Sequence, residues 1–76
     1  MTEKQLTDKI KAIALEQTGV ELTDGELKSS GLDSLSLVVL IAGIEDGFGI
    51  TFKDDDLAPE NITTLSRLVE LTGKYL

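Results

Sequence analysis

The segment GLDSLSLVVLIAGIEDGFGI, from Gly31 to Ile50, constrains this chain more than any other. It is the most apolar stretch of an acidic sequence, yet it opens on a small polar pair, Asp33-Ser34. Asp33 reads as the N-cap of a helix that runs to about Asp46, where Gly47 and Gly49 end it. At about 100° per residue the apolar positions divide into two stripes. Leu37, Leu40, Ile41, Ile44 and Phe48 recur at i, i+3, i+4 and i+7 and form a core face. Leu35, Val38, Val39 and Ala42 fall on nearly the opposite side, with Asp46 continuing them. A bundle helix needs one buried stripe, so the second is either covered by a neighbouring segment or left for a partner. A partner surface is the expectation, because the stripe begins beside Ser34. The competing reading folds the preceding loop over it.

The rest of the chain is arranged around that helix. Thr2 and Gln5 have the spacing of a capping box. Leu6, Ile10, Ile13 and Ala14 then recur at helical spacing until Gly19, which predicts a helix over Glu3 to Thr18. GVELTDGELKSSGLD lacks sustained periodicity and reads as a long loop pinned by Val20, Leu22 and Leu27. So long a loop in a small domain points to function or to a short helical turn within it. ITF has no second strand to pair with and reads as extended loop. KDDDLAP places acids at the start of a single helical turn that Pro59 ends. A last helix begins near Thr63, with Leu65, Leu68, Val69 and Thr72 on one face, and carries on toward Tyr75. The expected fold is all-α: a four-helix bundle of three main helices and one short helix, with a long loop between helices one and two. With 76 residues, the whole chain reads as a single domain.

Composition excludes much chemistry. The chain has no cysteine and no histidine, so thiolate catalysis, Ser-His-Asp catalysis, zinc–thiolate sites and histidine metal sites are ruled out. No catalytic residue and no metal ligand set is expected. Asp54-Asp55-Asp56 lacks the alternating ligands and closing glutamate of a calcium loop and reads as a solvated helix start. MTEKQLTDKI has no apolar core of a secretion signal, and the longest apolar run, LVVLIA, is far short of the roughly 20 residues that span a membrane. A cytoplasmic monomer without membrane insertion is expected. The formal charge of −7 argues against nucleic acid. Between Asp33 and Glu60 the acids Asp33, Glu45, Asp46, Asp54, Asp55, Asp56 and Glu60 face a single base, Lys53, which suits a basic protein partner.

Ser34 falls at the first helical position, where serine is common for structural reasons alone. The free N–H groups and dipole of a helix start also favour a phosphate there. With no histidine or cysteine to act as its base, Ser34 does not activate itself, so chemistry at its hydroxyl must come from another protein.

The segment resembles the signature of the acyl carrier protein family: a G-x-D-S-L motif, a helix of apolar and acidic residues, then FGI and an acidic loop. NITTLSRLVELTGKYL resembles the family's last helix, so the likeness covers essentially the whole chain. It implies a four-helix bundle in which a phosphopantetheinyl transferase esterifies Ser34 with 4'-phosphopantetheine from coenzyme A. It implies that the arm's thiol holds acyl or aminoacyl groups as thioesters, and that loading enzymes, transferases or synthases bring the chemistry. Asp33 would cap the helix and help dock the transferase, and Leu35 would be the exposed leucine that partners contact. The full docking set implied is Asp33, Leu35, Val38, Val39, Ala42, Glu45 and Asp46.

The sequence departs from the fatty-acid type, whose second helix resembles this one but carries several acids on its exposed face. Here Ser36 and Val39 stand at such positions, and only Glu45 and Asp46 are acidic. That favours a specialised pathway, such as polyketide, nonribosomal-peptide-like or D-alanyl transfer chemistry. Gly43 costs about 1 kcal/mol relative to alanine within a helix and suits a close approach by a partner or a neighbouring helix. The alternative is an acidic helical interaction module that carries no prosthetic group, against which the intact Asp33-Ser34-Leu35 argues.

Overall fold

The computed structural model describes residues 1–58 and 62–76. Three α-helices form where the periodicity places them: α1 at Glu3–Thr18, α2 at Ser34–Phe48 and α3 at Leu65–Lys74. Each begins on a side-chain cap. At α1 the capping box is complete: the Gln5 N–H donates to Thr2 Oγ1 at 3.2 Å and the Thr2 N–H to Gln5 Oε1 at 2.9 Å. At α3 the Arg67 N–H donates to Thr64 Oγ1 at 3.1 Å. Gly49, at φ 68°, closes α2 in the left-handed region that glycine enters without strain.

The short helix of the expected bundle is a 3-10 turn at Asp54–Leu57, and Pro59 and Glu60 lie outside the described residues. A second 3-10 turn at Leu27–Ser30 supplies the helical turn inside the long loop. Among the described residues there is no strand, and ITF is extended chain. The long loop is held by buried Leu22, Leu27 and Leu32 and by two bonds to the entry of α3, Leu27 N–H to Thr63 O at 3.0 Å and Leu65 N–H to Gly25 O at 3.2 Å.

Ile10, Leu40, Ile44, Leu68 and Thr72 are the largest side chains fully enclosed at the centre. Thr72 satisfies its buried hydroxyl by donating to Leu68 O at 2.8 Å. Phe52 and Ile62 are buried with them, although neither belongs to a helix.

Helix α2 runs two residues past the expected end at Asp46, through Gly47. The reason is packing. Helices α1 and α2 lie antiparallel, with Gln17 beside Gly43 and Lys9 Nζ donating to Gly47 O at 3.1 Å. A Cβ on Gly43 would stand 2.8 Å from Ile13 Cγ2, and one on Gly47 would stand 3.0 Å from Ile13 Cδ1. Ile13 therefore fills the space that the two missing side chains leave. In sequence Gly47 and Gly49 read as the stop; in the fold Gly49 alone ends α2, and Gly47 joins Gly43 in the surface against which α1 rests. The close approach belongs to the neighbouring helix.

The chain after α2 is tied on both sides. The Phe52 N–H donates to Glu45 Oε2 at 2.9 Å, and the Lys53 N–H donates to the Tyr75 hydroxyl at 3.0 Å. That hydroxyl donates in turn to Asp56, and the bond pushes the Tyr75 pKa up. The Phe52 and Tyr75 rings meet edge to face, 5.0 Å apart.

Candidate functional site

The N-terminal end of α2 is built by Asp33. Its backbone is extended (φ −87°, ψ 179°), as an N-cap requires, and its Oδ1 accepts the Ser36 N–H at 2.7 Å. Hydrogen bonds from the Ser36 N–H and hydroxyl hold the Asp33 carboxyl below the usual carboxylate range. The group is thus charged at neutral pH and held over the start of the helix. Leu32, immediately before it, is 4% exposed and anchors the turn in the core.

Ser34 follows as the first residue of α2, and its side chain is exposed. A phosphate attached there would meet the positive end of the α2 dipole and the N–H groups of the first turn. An uncovered hydroxyl, a rigid helix behind it and anion-favouring backbone in front suit a phosphoester.

The outer stripe is open. Leu35 is 75% exposed, Val38 65% and Val39 38%, and Ala42 is exposed with them. The preceding loop does not cover them. Val39 lies at the edge toward α1, one turn before Gly43, which accounts for its lower exposure. Asp46 is exposed at the far end of the stripe. Glu45 departs from the group. It is half-buried, and its carboxylate turns inward to take the Phe52 N–H. The structure therefore brings Asp33, Ser34, Leu35, Val38, Val39 and Ala42 together on one open surface with Asp46 at its end, and gives Glu45 a structural task.

Sequence reading gives Ser36 no task, yet its N–H and hydroxyl position Asp33. The signal was present in the Asp-x-x-Ser spacing at a helix start.

Among the described residues no group of His, Cys, Asp or Glu could hold a metal ion, and of the three acids read as a solvated helix start Asp56 is half-buried and accepts the Tyr75 hydroxyl. Nor, among those residues, is any helix long and apolar enough to cross a membrane.

Comparison with known proteins agrees with this geometry. Residues 8–72 match the family model described as the phosphopantetheine attachment site. An acyl carrier protein of Cyanidioschyzon merolae is 37% identical over 92% of this chain and 80% of its own length. Acyl carrier proteins of Petrotoga mobilis and Guillardia theta are 33% and 35% identical, over 100% and 97% of this chain and 93% and 95% of their own. Among solved structures, a chain in the crystal structure of a Bradyrhizobium japonicum glycine:[carrier protein] ligase complexed with glycylated carrier protein superposes with a TM-score of 0.76. It is 28% identical, over 88% of this chain and 97% of that one.

Proposed function

Because the chain belongs to the acyl carrier protein family, we propose that Ser34 bears its 4'-phosphopantetheine and that its cargo is an aminoacyl or specialised acyl group. As a member of that family the protein is a carrier on which partner enzymes act. The observation that carries the assignment of Ser34 is its exposed hydroxyl at the first position of α2, fixed there by the Asp33 cap.

When bound, the group supplies a long flexible arm ending in a thiol that holds the cargo as a thioester. The chain's own residues do the rest. Ser34 Oγ gives its proton to a base on the transferase as the new Oγ–P bond forms and the pyrophosphate bond of coenzyme A breaks, releasing adenosine 3',5'-bisphosphate. The base is the transferase's: this chain has no histidine or cysteine, and the neighbouring Asp33 carboxylate is engaged by Ser36 and lowered in basicity. Asp33 fixes the start of α2, and with it the position of the Ser34 backbone from which the hydroxyl is presented. Leu35, Val38, Val39 and Ala42 give partners an apolar patch next to the reacting atom.

Two observations support an aminoacyl or specialised acyl cargo over a growing fatty chain. From Ser34 to Ile44 no residue of α2 is charged, and Glu45 is turned inward, so the exposed face keeps one acid, Asp46 at its far end, where the fatty-acid type has several. A solved structure that superposes on this chain is of a ligase in complex with a glycylated carrier protein. The test is to isolate the loaded protein from cells that hold its native partners, release the cargo with neutral hydroxylamine and weigh it. An amino acid or a substituted short acyl group is expected. A series of saturated chains growing by two carbons would overturn the reading.

A further inference from the structure

The acidic turn Asp54–Leu57 is not held as α1, α2 and α3 are. Those helices bury a face and start on a side-chain cap, whereas none of the turn's four residues is buried and no side chain caps its start at Lys53. Within it the Asp56 N–H donates to Lys53 O at 3.0 Å. Half-buried Leu57 is the side chain it lays against the core. The other 3-10 turn, Leu27–Ser30, buries Leu27 and closes on Gly31. The flanks of the acidic turn are anchored firmly, with Phe52 4% and Ile62 6% exposed.

Between those anchors the end of α3 fastens the turn. The Tyr75 hydroxyl accepts the Lys53 N–H at 3.0 Å and donates to the Asp56 carboxylate, so one oxygen grips the cap residue and the third residue of the turn together. The donated bond ends on a charge, which makes it the stronger kind. Phe52 steadies the Tyr75 ring edge to face at 5.0 Å, and Glu45 of α2 holds Phe52 through its N–H at 2.9 Å. We propose that Tyr75 is a latch and the acidic turn a strap: when the hydroxyl lets go of Lys53 and Asp56, the turn leaves α3 while Phe52, Ile62 and the core stay in place. Opening gives up those two bonds and the Leu57 contact, a fraction of what unfolding the core would cost. Closed, the Asp56 carboxylate belongs to the hydroxyl; open, it faces a basic partner. The latch stands whichever residue bears the arm.

The experiment is amide hydrogen exchange on the full chain at several low denaturant concentrations. Wild type is compared with Tyr75→Phe, which keeps the ring beside Phe52 and removes the hydroxyl. The informative amide is that of Asp56, because its acceptor is Lys53 O and not the hydroxyl. In the wild type it should exchange faster than the amides of buried Leu40, Ile44 and Leu68, and respond little to denaturant, since opening the turn alone exposes little surface. Tyr75→Phe should speed it by about tenfold with that response still small. An Asp56 amide that shares the core's protection and denaturant response would overturn the inference, because the turn would then open only with the whole fold. So would one that is unprotected in the wild type, or one that exchanges at the same rate in Tyr75→Phe. Should that variant fail to fold, Asp56→Ala breaks the grip from the other side. Tyr75 is the single tyrosine of a chain without tryptophan, so its absorbance reads the bond directly. The bond to Asp56 raises its pKa. Asp56→Ala leaves Lys53 on the turn, Glu45 behind Phe52, and Arg67, Glu70 and Lys74 of α3 around the adjoining cleft unchanged. Tyr75 should then ionise at lower pH than in the wild type, and an unchanged titration would overturn the latch.

Discussion

Asp33 shows how much one residue contributes to the site. Its carboxylate is exposed, yet it accepts the Ser36 N–H and so fixes where α2 starts and which way Ser34 faces. Because the folded state lowers its pKa, its contribution to stability is complete above the ordinary carboxylate range. It is lost as pH falls through the lowered value. Asp33→Asn keeps a capping oxygen but cannot titrate. Thermal melts of both proteins from neutral pH down through the carboxylate range should show a shallower acid decline in the variant; parallel declines would show that the cap is not linked to pH. Val39 separates docking from folding at the same scale. It is 38% exposed, so Val39→Glu should alter stability by no more than about 0.5 kcal/mol. Transfer by a cognate enzyme should slow, because a charge would enter an apolar contact. A large drop in melting temperature would place Val39 in the core. Both stripes of α2 were legible from spacing alone, since each side chain's direction follows from its position on a helix. The inward turn of Glu45 was not. Its partner is a backbone N–H seven residues on, brought back only after the chain reverses at Gly49.

Among the elements, the packing of α1 on α2 depends on what Gly43 lacks. Alanine there gains about 1 kcal/mol of helix propensity. It also sets a Cβ 2.8 Å from Ile13 Cγ2, an atom attached at the branch point that cannot simply swing away. Overpacking costs about 1–3 kcal/mol, so Gly43→Ala should be destabilising by about 1 kcal/mol net. Denaturant unfolding of Gly43→Ala, Ile13→Ala and the double variant should show coupling, with alanine at position 43 tolerated once Ile13 is shortened. Additive effects would mean that the helices do not meet at this seam. Helix starts were readable because caps are local, as with Thr2 and Gln5. The end of α2 was not, because a glycine that stops a helix and one that admits a neighbour look alike until the neighbour is placed. The ties from Tyr75 to Lys53 and Asp56 join residues 22 and 19 positions apart, beyond any local pattern.

The whole molecule is a small core with an exposed helix end, and both parts are open to test. A chain of this size has little stability in reserve, on the order of 5 kcal/mol. Leu40 and Ile44 are fully buried at its centre, so truncation of either to alanine should cost about 2–5 kcal/mol, a large share of that reserve, and lower the melting temperature markedly. Circular dichroism melts that match the wild type would mean that the phase of α2 is wrong. The exposed end is the more consequential part, because the function proposed for the protein passes through one hydroxyl. Intact-mass measurement after incubation with coenzyme A and a broad-specificity transferase tests it most directly. The wild type and Ser36→Ala, along with variants at Ser29 and Ser30, should each gain one phosphopantetheine, and Ser34→Ala should gain none. Modification that persists in Ser34→Ala, or its absence from a folded wild type, would contradict the account.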